Sequence, residues 1–174
     1  MSTSLPFRQG VVIVVRHPVN HTVLLGKRPD TGTWQFPQGG IDTTDGESPL
    51  QACMRELQEE TGLLPHQVTL VKTAERTVRY YFPPYLQSNN PNEQSTDKPV
   101  IEESVLWKKW AGQEHTWFLL QLCSGVEPDL SLASDDEFCE FEWVDPVVAV
   151  ERIVSFKRDN YIEALRMLSL LKYQ

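Results

Sequence analysis

The chain has 174 residues, 40% hydrophobic and 23% charged, with five Trp and seven Phe. That balance suits one globular domain with a sizeable core and excludes a disordered or fibrous class. A formal net charge of -8 excludes tight non-specific nucleic-acid binding, which depends on neutralising phosphates, so any such contact must be local.

The opening "MSTSLPFRQG" has no charged segment followed by an apolar one, and "VVIVV" is far too short to span a bilayer. The expectation is an intracellular, cytoplasmic protein without membrane contact, the organelle left open. "GVVIVVRH" and "HTVLLGKR", joined by "PVN", read as a hairpin or adjacent strands. Ser48, Pro49 and Gln51 form a capping box with proline at the first helical position, and Gly62 can close the helix in the left-handed conformation. The helix is predicted over about 49 to 61, with Leu50, Cys53, Met54 and Leu57 on its buried stripe. "QVTLVKTAERTVRYYF" then gives one or two strands.

Order weakens at "PPYLQSNNPNEQSTDKP", whose Pro, Asn and Ser mark a long surface loop spanning residues 83 to 111. "HTWFLLQLCS" reads as a buried strand, and in "FCEFEWV" Cys139, Phe141 and Trp143 alternate with Glu140 and Glu142. Cys53, Cys123 and Cys139 lack CxxC spacing and read as reduced core residues. Asp145 and Pro146 open a second helix, and Tyr161, Ile162, Leu165, Leu168 and Leu171 mark an amphipathic closing helix. The order of elements predicts a mixed α/β (α+β) domain over residues 1 to 174, its sheet packed between helices.

Within the first helix, Glu56, Glu59 and Glu60 share a face at i, i+3 and i+4, with only Arg55 nearby to offset them. Like charges at this spacing cost about 0.2–0.5 kcal/mol per pair. Water could simply solvate that face. A hard divalent cation such as Mg²⁺ or Mn²⁺ would instead make the repulsion favourable. The preceding "PQGGIDTTDG" supplies a turn in which Gly39 and Gly40 leave the backbone open to a ligand.

From Glu47 onward, Arg55, Glu56, Leu57, Glu59, Glu60, Gly62 and Leu63 match the spacing of the Nudix box, and the segment resembles that family. One departure is present: six residues separate Gly40 from Glu47, where the box has five. The resemblance implies the Nudix fold and metal-dependent hydrolysis of a phosphoric anhydride in a nucleoside diphosphate derivative. It implies Glu56, Glu59 and Glu60 as catalytic residues, with Gly40, Glu56, Glu59 and Glu60 around Mg²⁺ or Mn²⁺, and Glu47 and Arg55 as structural support.

The wider match through "WQFPQGGI", "WFLLQL", "DDEF" and "VSFKRD" resembles the branch of bacterial RNA pyrophosphohydrolases and plant-type diadenosine polyphosphate hydrolases. It implies Glu137 as a further metal ligand, and Arg8, Arg28, Arg79, Tyr80, Phe156 and Lys157 as substrate contacts. On ordinary grounds the arginines could be surface charges and the aromatics core residues. Glu114 and Thr116 stand where this branch carries lysines, which weakens any basic channel for an RNA body. The expected partner is a nucleoside oligophosphate or an RNA 5′ end. The alternative is a non-catalytic scaffold that binds nucleotide or RNA within a complex.

Overall fold

The computed structural model describes residues 5–83 and 109–172. Strand β1 (Phe7–Arg16) runs through the middle of an eight-stranded mixed sheet. It pairs in parallel with β7 (Gly112–Leu122) from Phe7↔Gly112 to Arg16↔Gln121. It is antiparallel to β2 (Val23–Lys27) and to β4 (Gln38–Gly40), the latter in the register Gly10↔Gly40. Strands β3 (Trp34–Gln35) and β8 (Glu140–Val144) flank β2, while β5 (Val68–Thr73) and β6 (Val78–Tyr81) pair in turn with β7. The described helices are α1 (Pro49–Thr61), α2 (Pro146–Arg152) and α3 (Arg158–Met167).

The unbroken run Val11–Val15 reflects a strand covered on both faces, which needs no polar alternation. Val11, Ile13 and Val15 pack with Ala52, Cys53 and Leu57 of α1, while Val12 and Val14 pack with Tyr161, Ala164 and Leu165 of α3. Strand β7 divides the same way, Phe118 and Leu120 toward α1 and Trp117 and Leu119 toward α3. The expected layering of a sheet between helices is therefore present. So is the capping box on α1: Ser48 and Gln51 exchange hydrogen bonds, and Gly62 closes the helix at φ 71°. Asp145 caps α2 by accepting from the Val147 amide at 2.8 Å.

Four details differ from the sequence reading. Leu50 is 42% exposed, because the first turn of α1 projects past the sheet, and the buried face of the helix includes Glu56 and Glu60. Cys53 is a core residue, but Cys123 is only half-buried and Cys139 exposed, both lying at strand ends where cover runs out. Phe141 and Trp143 are likewise only half-buried on β8, which among the described residues pairs with β2 alone. The closing helix ends at Met167, and the chain turns through Ser169 at φ 63° before Leu171. Residues 84–108 of the long loop lie outside the described residues. Among the described residues no helix is long and apolar enough to cross a membrane.

Candidate active site

Strand β4 lies directly on α1, and the glycine in its middle makes that approach possible. A Cβ at Gly39 would stand 1.9 Å from Cδ of Glu56, so any side chain there would displace the carboxylate. One residue earlier, the Gln38 amide donates to Oε2 of Glu60 at 2.9 Å. Arg55 sits at the hub. Its guanidinium donates to both oxygens of Glu47 at 2.8 and 2.9 Å, to Glu56 at 2.6 Å, to Glu59 at 3.0 Å and to the Gly40 carbonyl at 2.8 Å. The extra residue before Glu47 is absorbed in an exposed turn. There the Asp42 carboxylate accepts from the Thr44 amide and hydroxyl, and the Asp42 amide donates to Glu47 at 2.8 Å.

A second segment brings Glu137 to the same end of α1. Ser134 and Asp135 donate their amides to the Glu59 carbonyl at 3.0 and 3.1 Å, and Asp129 donates to the Thr61 carbonyl at 3.1 Å, satisfying acceptors that the helix end leaves open. Glu137 accepts from Gln35 Nε2 at 3.2 Å and from Arg28 Nη1 at 2.5 Å. Arg28 is also held by Asp30 at 2.9 and 3.0 Å, so its charge is shared between two carboxylates.

Burial and mutual repulsion dominate the electrostatics of these acids. Burial holds Glu60 well above the ordinary carboxyl value; the Gln38 amide opposes this, and the charges of Glu137, Glu56 and Asp135 reinforce it. Burial also raises Glu56 against the pull of Arg55, and raises Glu137 against that of Arg28. These are hard oxygen donors whose charge a divalent cation would stabilise, so the donor chemistry fits such an ion. As they stand, Glu56 and Glu59 turn to Arg55, Glu137 turns to Arg28 and Glu60 accepts from the Gln38 amide, and among the described residues no three metal-binding side chains gather around one point.

Arg8 connects this acidic end to an aromatic and basic one. A Cβ on Gly40 would lie 2.5 Å from its Nη2, and its charge acts on both Glu56 and His115. The Lys157 ammonium stands 5.4 Å from the Tyr80 ring and 5.7 Å from Phe156, whose rings are 5.9 Å apart. Tyr80 is buried and donates its hydroxyl to Gln113 at 2.6 Å, whereas Phe156 is half-buried. Arg8, Tyr80, Phe156 and Lys157 thus come together. Arg79 does not join them: alternation along β6 sends it to the other face, where Glu114 holds it at 2.9 Å over Phe7.

Sequence reasoning missed three neighbours of these groups. Gln35 and Asp30 orient Glu137 and Arg28; the only signal in the sequence is that Asp30 stands two residues after Arg28 and Gln35 lies within "WQFPQGGI". His115, which the sequence gives no ligand spacing to single out, is buried beside Tyr80, and burial together with Lys157 and Arg8 lowers its pKa to about 3, leaving it neutral.

The chain matches the NUDIX domain family over residues 6–165. The RNA pyrophosphohydrolase of Acinetobacter baylyi is 36% identical over 173 residues, covering 98% of this chain and 93% of that protein. That of Vibrio cholerae is 37% identical over 163 residues, covering 93% and 83%. A Caenorhabditis elegans Ap4A hydrolase binary complex shares the fold with a TM-score of 0.61 at 16% identity, over 94% of this chain and 99% of that one. The Escherichia coli dihydroneopterin triphosphate pyrophosphohydrolase does so with a TM-score of 0.63 at 20% identity, over 92% and 96%. Hydrolases of this family generally need a divalent metal ion. A family match over nearly the whole chain, together with the intact acidic helix beneath Gly39, establishes that this protein belongs to the Nudix family and is a Nudix pyrophosphohydrolase.

Proposed function

We propose that this enzyme hydrolyses a phosphoric anhydride in the 5′-triphosphate of RNA, recognising little beyond the first nucleotides. The observation that supports the reading is that the charges of Glu56 and Glu137 both act on the buried Glu60, while Arg8 stands against Gly40 on one side and acts, with Lys157, on His115 beside Tyr80 on the other. Relatives named RNA pyrophosphohydrolase along almost the full chain support the substrate class.

The carboxylates of Glu56, Glu59, Glu60 and Glu137, with the Gly40 carbonyl, would hold Mg²⁺ or Mn²⁺, which supplies charge neutralisation at the phosphoryl oxygens and activates water. One carboxylate among Glu56, Glu59 and Glu60 takes the proton of the attacking water. Arg55 holds Glu47, Glu56, Glu59 and the Gly40 carbonyl in one arrangement. Arg8 and Lys157 bind phosphate oxygens, Arg8 from beside Gly40. Phe156 offers a face to a base and Tyr80 supports it from below, a contact that does not read base identity. Arg28 and Arg79 serve the substrate less directly, since acids already engage both. An intracellular setting accords with three unpaired thiols.

A dinucleoside polyphosphate is the second reading. It is favoured by Glu114, which neutralises Arg79 and so removes a cation that an RNA body could use. Product analysis with 5′-triphosphorylated RNA and diadenosine tetraphosphate, each with and without metal, tests both. The expected result is metal-dependent turnover of RNA. A kcat/KM at least tenfold higher on the dinucleotide would move the assignment to it, and turnover of neither would overturn both substrate readings.

A further inference from the structure

Glu137 lies on an irregular segment, yet its place is fixed to either side by contacts that no catalytic argument uses. Before it, Ser134 and Asp135 are tied to the Glu59 carbonyl. After it, the Phe138 ring lies on the backbone of Gly26 in β2. A Cβ added there would meet three ring carbons at 2.4 to 2.6 Å, far inside contact distance. The ring is 5% exposed and meets Phe141 edge-on with centroids 5.9 Å apart, and the next amide, that of Cys139, donates to the Lys27 carbonyl at 2.9 Å. Gly26 also pairs across the sheet with Gln35, whose amide donates to Glu137. A glycine inside a strand weakens it and marks close approach by another group. Here the approaching group is the side chain next to Glu137.

We infer that Phe138 is a positioning residue for the hydrolysis, with Gly26 as its seat, and that this pair sets where the Glu137 carboxylate stands relative to Glu60. The inference rests on Glu137 taking part in the reaction. A carboxylate displaced by about 1 Å can cost up to about 100-fold in rate. Gly26→Ala pushes the ring away by a single methyl, and Phe138→Leu removes the ring without adding atoms. Combined, the smaller Leu leaves room for the methyl.

The experiment measures kcat, KM, the Mn²⁺ concentration for half-maximal activity and the rise in Tm caused by Mn²⁺. It covers Gly26→Ala, Phe138→Leu, their combination, Glu137→Gln, and Gly26→Ala in the Glu137→Gln background. Gly26→Ala is expected to lower kcat about 10- to 100-fold with KM little changed, and to shrink the Mn²⁺-induced rise in Tm. Adding Phe138→Leu restores part of both, and Gly26→Ala costs nothing further once Glu137 is Gln. Should Gly26→Ala fail to fold, Phe138→Leu alone must show a weaker Mn²⁺ response than the unaltered enzyme. The inference is overturned if Glu137→Gln is impaired while Gly26→Ala and Phe138→Leu keep full kcat and metal response, or if the Gly26→Ala loss persists undiminished without the carboxylate. Full activity in Glu137→Gln would instead remove the role of Glu137 itself, and the inference with it.

Discussion

Replacing Glu60 with Gln should make the metal-free protein more stable while destroying its activity. The Glu60 side chain is 3% exposed, and the groups that raise its pKa besides burial are three other acids, Glu137, Glu56 and Asp135. Its folded pKa lies well above the ordinary 4.5, so the folded state keeps the proton to higher pH than the unfolded chain does. The favourable contribution is therefore complete below about pH 4.5 and lost as pH rises through the folded value. Gln cannot ionise and retains an oxygen for the Gln38 amide. At pH 7 the cost of Glu60 has a ceiling, because the group can always keep its proton. The gap of roughly 2.5 pH units, at about 1.4 kcal/mol per unit, limits it to about 3.5 kcal/mol. For a chain of this size that corresponds to a rise in Tm of up to about 10 °C. The assay is thermal unfolding of both proteins in EDTA between pH 4.5 and 8, then with Mn²⁺. The difference should be near zero at the acid end and widen with pH, and Mn²⁺ should raise the Tm of the unaltered protein more. A Glu60→Gln protein that melts lower than the parent at pH 7 in EDTA, or a difference that ignores pH, would refute the reasoning.

Glu56→Gln should lower kcat at least about 100-fold, and EDTA should do the same to the parent enzyme; steady-state turnover checks both. Arg55→Ala removes the donor to Glu47, Glu56, Glu59 and Gly40, leaving the Glu56 carboxylate, 11% exposed, without the cation bonded to it. Since Arg55 is itself 36% exposed, the loss should be about 1–3 kcal/mol, seen as a lower Tm together with lower activity. An unchanged Tm with abolished activity would mean that Arg55 acts on the substrate itself. Activity on RNA should gain little beyond two or three nucleotides, and Glu114→Gln, by releasing Arg79, should steepen the salt dependence of kcat/KM on longer RNA by about one phosphate contact, roughly 0.7 in logarithmic slope. A parent enzyme whose activity already climbs steeply with RNA length and collapses at high salt would contradict this account.

Local rules made several elements readable from the chain itself. Ser48, Pro49, Gln51 and Gly62 bound α1 because capping depends on neighbours within four residues, and the β-branched run Val11–Val15 reads as a strand. The spacing of Glu56, Glu59 and Glu60 likewise marks a charged cluster without any coordinates. What the sequence could not supply was which of those charges are buried, and by what. Glu56 and Glu60 are hidden because β4 lies over a helix face that periodicity alone assigns to solvent, Gly39 against Glu56 and Gln38, 22 residues earlier in the chain, bonded to Glu60, while the segment 129–135 closes the end of the helix. The partition of cations was equally out of reach. Arg79 and Tyr80 are adjacent in sequence but point to opposite faces of β6, so one meets Glu114 and the other meets Lys157. The same limit applies to Gly26, an ordinary glycine in the sequence whose meaning appears only when Phe138 arrives from over one hundred residues downstream. Capping and periodicity are governed by bonds a few residues apart, whereas desolvation and ion pairing depend on distances in space, which only the tertiary structure sets.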